Sequence, residues 1–232
     1  AINYFEQMGL KGFSPDAITF VCFLKACGSI GAMDKVREVH AEVENRGMVT
    51  TNVVGNTLVH IYAKCGLISK AQQVFESLLV QDVFSWTSFM VGYARLGETE
   101  KVCSLFEQML GAGVKPDPVT FVVVLNACVR AGFFEFTRSY YELMSKGYGM
   151  MPNFQHNVCI IDLFARYGQV DKAIEMIKKM PICSNATTWN IMLNACNNWG
   201  NLEFARKVFK HASVEKNSVT YVLMSHVCAG GK

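Results

Sequence analysis

Six nine-residue phrases in this chain end on glycine and share one apolar pattern: "FLKACGSIG" at Gly31, "LVHIYAKCG" at Gly66, "FMVGYARLG" at Gly97, "VLNACVRAG" at Gly132, "IIDLFARYG" at Gly168 and "MLNACNNWG" at Gly200. Successive glycines stand 35, 31, 35, 36 and 32 residues apart. A unit of that length cannot bury a hydrophobic face alone, so a sustained period of this size restricts the chain to stacked repeats. Upstream of each glycine, apolar residues recur at spacings of three and four, as in Phe20, Phe23, Leu24 and Cys27 or Trp86, Phe89, Met90 and Tyr93. Downstream lies a second stripe, Ala71 with Phe75, Val102 with Phe106, Ala205 with Phe209. The glycine sits where the first helix must end and the chain reverse. "SPD" at 14–16, "KPD" at 115–117 and "MPN" at 151–153 close units with turn residues. The pattern predicts an all-α fold, a right-handed α-solenoid superhelix of helix–turn–helix repeats.

Numbering each unit so that its glycine is position 15 gives units at 17–51, 52–82, 83–117, 118–153, 154–185 and 186–219. Residues 1–16 fit the second half of an earlier unit, and residues 220–232 the first half of a later one. Half repeats at both ends would leave apolar faces uncapped, so end-to-end self-association is expected.

The nine cysteines include no C-x-x-C pair, a pattern that suits free thiols in a reducing compartment. Cys27, Cys128 and Cys196 all fall at position 11, where the other units carry Tyr62, Tyr93 and Phe164. A slot shared by cysteine and aromatics is a packing slot. Neighbouring helices pack about 8 to 10 Å apart whereas zinc holds sulfur at about 2.3 Å, so no zinc site is expected here. "HAE" at His40–Glu42 imitates the H-x-E of zinc deaminases, but the P-C-x-x-C partner is missing and His40 occupies the second-helix slot of Phe75, Phe106 and Tyr141. No phosphate-loop or nucleophile-elbow motif occurs. Neither an enzyme nor a cofactor is predicted. The longest apolar run falls well short of the ~18 residues of a membrane span, and no membrane partner is expected.

The formal net charge of +3 neither requires nor excludes nucleic acid, so placement decides. Position 13 carries Lys64, Arg95, Arg130 and Arg166 in four consecutive units. Eight residues carry a helix about 80° past whole turns, so position 13 shares a face with position 5. Such a column is a candidate track for an RNA phosphate backbone.

Phrases such as "NTLVHIYAKCG" with "AQQVFESL", "VFSWTSFMVGYARLG" with "LFEQMLGAGVKPD", and "TFVVVLNACVRAG" resemble the pentatricopeptide repeats of plant organelle proteins, in the subclass that cycles P, long (L) and short (S) units. By this resemblance 17–51 is an L unit, 52–82 an S unit, 83–117 a P unit, 118–153 an L unit and 154–185 an S unit; 186–219 resembles the E1 motif and 220–232 the start of E2. The family binds single-stranded RNA one base per unit. In it, position 5 and the last residue of a unit select the base, and position 2 residues sandwich it. Carried over, Asn56 with Asp82 is a uracil-preferring pair and Thr87 with Asp117 a guanine-preferring pair. Ile18, Val53, Phe84 and Val119 are the stacking residues. Val21, Val122 and Val158 depart from the pattern at position 5, where they offer a base no hydrogen bond.

The E-like tail implies a site-recognition factor for C-to-U RNA editing in a mitochondrion or chloroplast. Its implied partners are single-stranded organellar RNA, multiple organellar RNA editing factor proteins and a DYW-type deaminase acting in trans. The alternatives are an RNA stability, processing or splicing factor on the same repeats, or a protein-binding solenoid of the tetratricopeptide kind.

Overall fold

The computed structural model describes residues 2–179, 186–199, 202–211 and 218–230. Among them stand fourteen α-helices and no strand: α1 (Ile2–Leu10), α2 (Ala17–Ile30), α3 (Met33–Asn45), α4 (Asn52–Lys64), α5 (Ile68–Ser77), α6 (Val83–Leu96), α7 (Thr99–Gly111), α8 (Pro118–Ala131), α9 (Phe134–Glu142), α10 (Phe154–Arg166), α11 (Val170–Lys179), α12 (Ala186–Trp199), α13 (Leu202–His211) and α14 (Ser218–Gly230). They form two compact bodies, residues 1–127 and 128–232, with the boundary inside α8.

In the N-terminal body the first helix of each pair packs on its second, α2 on α3, α4 on α5 and α6 on α7, and the first helices pack side by side, α2 on α4 and α4 on α6. The C-terminal body repeats the scheme with α10 on α11, α12 on α13, and α10, α12 and α14 in file. This is a solenoid of helix pairs within each body. The apolar stripes become its core: Phe20, Leu24 and Val36 with Leu58, Tyr62 and Met90 in the first, and Ile161, Ala173, Met192 and Leu193 in the second. Gly92 sets one close approach. A Cβ there would lie 2.6 Å from Ile68 Cδ1 and 3.0 Å from Ala63 Cβ, so glycine lets α6 close on its neighbours.

The turns follow from the sequence. Gly31 (φ 73°) and Gly97 (φ 80°) end α2 and α6 in the left-handed conformation, and Gly66, Gly132 and Gly168 share the positive φ. Gly200, the sixth of the series, lies outside the described residues, as do residues 180–185 and 212–217 at the ends of the last S-like and E1-like spans. A second set, Gly47, Gly113 and Gly149, takes positive φ after the second helix in the three longer spans. In the shorter span 52–82 the second helix ends at Leu78 instead, in extended backbone and with its side chain buried. The second helices of the shorter spans, α5 and α11, have 10 residues against 13 in α3 and α7. That difference is close to one helical turn.

The position-11 cysteines lie in the core. Cys27 and Cys128 are fully buried, as is Tyr62, while Tyr93 and Phe164 are half-buried. Burial pushes the Cys196 thiol up to about 12. His40 packs as its slot implies: its Nδ1 lies 3.0 Å from the Tyr62 hydroxyl, and burial lowers its pKa.

Candidate nucleic-acid interface

The last residue of one repeat span is the N-cap of the next span's first helix, and this dual position builds the candidate site. Asp82 caps α6 by accepting from the Ser85 backbone N–H at 2.9 Å through Oδ1. Its second oxygen, Oδ2, accepts from Asn56 Nδ2 at 2.9 Å, joining the first helix of span 52–82 to that span's last residue, 26 positions on, where the next span's first helix starts. Since a carboxylate has no proton to give, this bond fixes the Asn56 amide: nitrogen toward Asp82, oxygen away. Asn56 Oδ1 is buried with no hydrogen-bond partner. A buried acceptor of this kind costs on the order of 1–3 kcal/mol unless something supplies a donor.

Something is given room to do so. A recess of about 290 Å³ is lined by Val21, Val53, Asn56, His60, Asp82 and Phe84, among others. The two hydrophobic residues at its position-2 sites are far from buried. Val53 is 60% and Phe84 50% exposed, and Ile18 (69%) and Val119 (59%) repeat the arrangement on α2 and α8, whereas Asn56 and Thr87 are each only 7% exposed. Apolar side chains standing out beside sunken polar ones make a set of slots that suit flat rings with polar edges.

The Thr87/Asp117 pair is built differently. Asp117 Oδ1 caps α8 by accepting the Thr120 backbone N–H at 2.7 Å. The Thr120 hydroxyl also donates to that oxygen at 2.8 Å, and lies 2.7 Å from the Thr87 hydroxyl. Thr120 thus stands between the two residues. Position 3 of the repeats holds Thr19, Val54, Ser85, Thr120 and His156, a mixed column without a signal of its own, and Thr120 is fully buried. The same N-cap pattern recurs at Asp16, which accepts from the Thr19 hydroxyl at 2.6 Å and from its N–H at 2.8 Å.

The basic column is partly engaged. Arg95 is exposed and donates to the Lys64 carbonyl at 3.2 Å, a contact that brings successive position-13 residues together and complements the C-terminal end of α4. Lys64 and Arg130 are exposed. Arg166 is half-buried and ion-paired with Asp162 on its own helix at 3.1 Å. Lys25 and His60, both at position 9, join this face beside the recess. Burial, and then the charges of Lys64, Lys25 and Arg95, hold His60 below the usual imidazole range. The 5, 9, 13 spacing carries the signal for these two residues. Among the described residues no group of three or more His, Cys, Asp or Glu side chains is placed to hold a metal ion, and no described helix is long and apolar enough to cross a membrane.

Fold and site together define a helical-repeat protein whose candidate ligand surface lies at the N-terminal ends of its first helices. The sequence matches the PPR repeat family at residues 81–130 and the PPR repeat at 56–83, 119–147, 158–183 and 187–212, together more than half of the chain. The chain belongs to the pentatricopeptide repeat family. A pentatricopeptide repeat-containing protein of Arabidopsis thaliana is 33% identical over 231 residues, covering 99% of this chain and 43% of its own. The Arabidopsis protein DOT4, chloroplastic, is 36% identical over 221 residues, 94% of this chain and 25% of its own. This chain therefore spans less than half the length of either relative. The crystal structure of the pentatricopeptide repeat protein PPR10 in complex with an 18-nt psaJ RNA element is similar in fold, with a TM-score of 0.75 and 18% identity over 97% of this chain and 34% of that one.

Proposed function

We propose that this chain binds single-stranded RNA along the N-terminal ends of its first helices, and reads two adjacent bases there. The observation that carries this is the recess in which Asn56, held by Asp82, presents a buried unpartnered acceptor between the exposed Val53 and Phe84. A base between those side chains would meet an amide that can accept from a ring N–H and donate its second amide proton to a carbonyl. Uracil offers that pairing through N3–H and a neighbouring carbonyl. Thr87 with Asp117, flanked by Phe84 and Val119, is the second reader and takes guanine. Ile18 extends the row of stacking residues. Lys64, Arg95, Arg130 and Arg166 contact the backbone, with Lys25 and His60 beside the first recess. Of these, Arg166 is ion-paired with Asp162 on its own helix.

Within the larger protein this segment serves as the site-recognition part of C-to-U RNA editing in a mitochondrion or chloroplast. The L, S and P order of the repeats and the E-like tail support this, and a relative named chloroplastic agrees with an organellar site. The chain acts without catalysis of its own. Multiple organellar RNA editing factor proteins dock on its L-type units, and a DYW-type deaminase is supplied in trans.

Titration of fluorescent single-stranded RNA at several salt concentrations tests the RNA-binding core of the proposal. Uridine- and guanosine-containing RNA should bind well above an unrelated polyanion such as heparin and keep a base preference as salt rises, since backbone contacts weaken with salt. Binding no stronger than to heparin, without base preference, would contradict it.

A further inference from the structure

The hydrogens at the Thr87/Asp117 site can be assigned by counting. A threonine hydroxyl has one proton to give and two lone pairs to receive. The Thr120 hydroxyl gives its proton to Asp117 Oδ1 at 2.8 Å, because the carboxylate can only accept. It receives the Asp117 backbone N–H at 3.3 Å on one lone pair. Its remaining neighbour is the Thr87 hydroxyl at 2.7 Å, and its own proton is already committed, so Thr87 must be the donor. The Thr87 oxygen is left with lone pairs only. Asp117 Oδ2, which makes no hydrogen bond among the described residues, is an acceptor as well.

We propose that Thr120 is a specificity-determining residue that sets the polarity of the Thr87 hydroxyl and so makes this site a seat of acceptors for guanine. Guanine alone among the four bases carries two adjacent donors, N1–H and the N2 amino group, on its Watson–Crick edge. Adenine and cytosine set a ring acceptor next to their amino group, and uracil has one N–H between two carbonyls. A Thr87 free to rotate its proton could serve adenine N1 as readily as guanine N1–H. At the neighbouring site position 3 has no such part. The Ser85 hydroxyl donates to the Asp82 carbonyl at 2.9 Å, and Asn56 is long enough to reach Asp82 directly.

The proposal rests on the RNA-binding reading above, and one experiment separates the two. Labelled oligocytidine carrying either G-U-G or A-U-A is titrated against the wild-type chain, Thr120→Val and Thr120→Ser, with G-C-G as a control for the Asn56 site. Wild type and Thr120→Ser should prefer G-U-G to A-U-A by about tenfold, the worth of roughly one hydrogen bond. Thr120→Val should bring that ratio close to one and leave the U-to-C penalty unchanged. A Thr120→Val chain that keeps the wild-type ratio, a Thr120→Ser chain that loses it, or a Thr120→Val chain that also loses the U-to-C penalty overturns the role of Thr120. A wild-type chain that tells U from C but not G from A overturns it too. If wild type distinguishes neither pair, base reading itself falls and the proposal with it.

Discussion

The Asn56 and Thr87 sites occupy equivalent places on consecutive repeats and share one device, a helix N-cap that doubles as a partner for the repeat before it. They differ in reach. The Asn56 amide spans the gap and bonds Asp82 directly, which fixes its own orientation and leaves a buried, unpartnered acceptor on a residue that lines the recess. Thr87 is too short, and Thr120 fills the gap. The cap therefore supplies the geometry, whereas side-chain length decides whether two residues or three determine what a ligand meets.

The largest expected effect comes from exchanging one site for the other. Thr87→Asn should let the amide reach Asp117 and move the preference of that site from guanine toward uracil, a reversal of about tenfold or more in relative affinity. An unchanged preference in RNA titrations would mean that reach is not the deciding difference. Next is Asp82→Ala, which removes both a cap and the anchor of Asn56. It should lower stability by about 1 kcal/mol in a denaturant titration and abolish the U-to-C preference. Asp16→Ala should cost a similar cap without touching that preference, since Asp16 caps α2 through Thr19 but faces no reader in this chain. Ser85→Ala, at a fully buried position, should cost about 0.5–1.5 kcal/mol, one hydrogen bond, and leave base preference alone, because its hydroxyl serves only a backbone carbonyl.

The smallest effect concerns pH. His40 and His60 are both held below the usual imidazole pKa of 6.5, by burial first. The unfolded chain therefore binds protons before the folded one does. Their contribution to stability is present above pH 6.5 and lost as pH falls through the lower folded values. His40→Phe, which installs the residue found at Phe75 and Phe106, should flatten that part of the profile in thermal melts between pH 7.5 and 5.5.

Much of this was legible in the sequence. The glycine period gave the helix pairs, and the interchange of Cys27 and Cys128 with Tyr62 marked a packing slot, because packing constraints repeat with the fold. Asn56, Asp82, Thr87 and Asp117 came from the resemblance, which could not say that the first pair is hydrogen-bonded directly and the second through Thr120. That difference depends on side-chain reach across 26 to 33 residues. Thr120 was hidden because position 3 mixes Thr19, Val54, Ser85 and His156 and so shows no column. Arg166 looked equivalent to Lys64 and Arg95 by position, and only the structure shows its charge spent on Asp162. The second glycine set, Gly47, Gly113 and Gly149, stands 16, 16 and 17 residues after Gly31, Gly97 and Gly132, and it was not drawn from the sequence because the shorter span 52–82 lacks it and so breaks the series.

A base entering between Val53 and Phe84 would set its edge on Asn56. A crystal structure of this chain with a short uridine-containing RNA tests this most directly. The expected result is a uracil ring between those two side chains, its N3–H on Asn56 Oδ1, with the Asn56–Asp82 bond intact. A recess left empty while RNA lies elsewhere on the chain would contradict it.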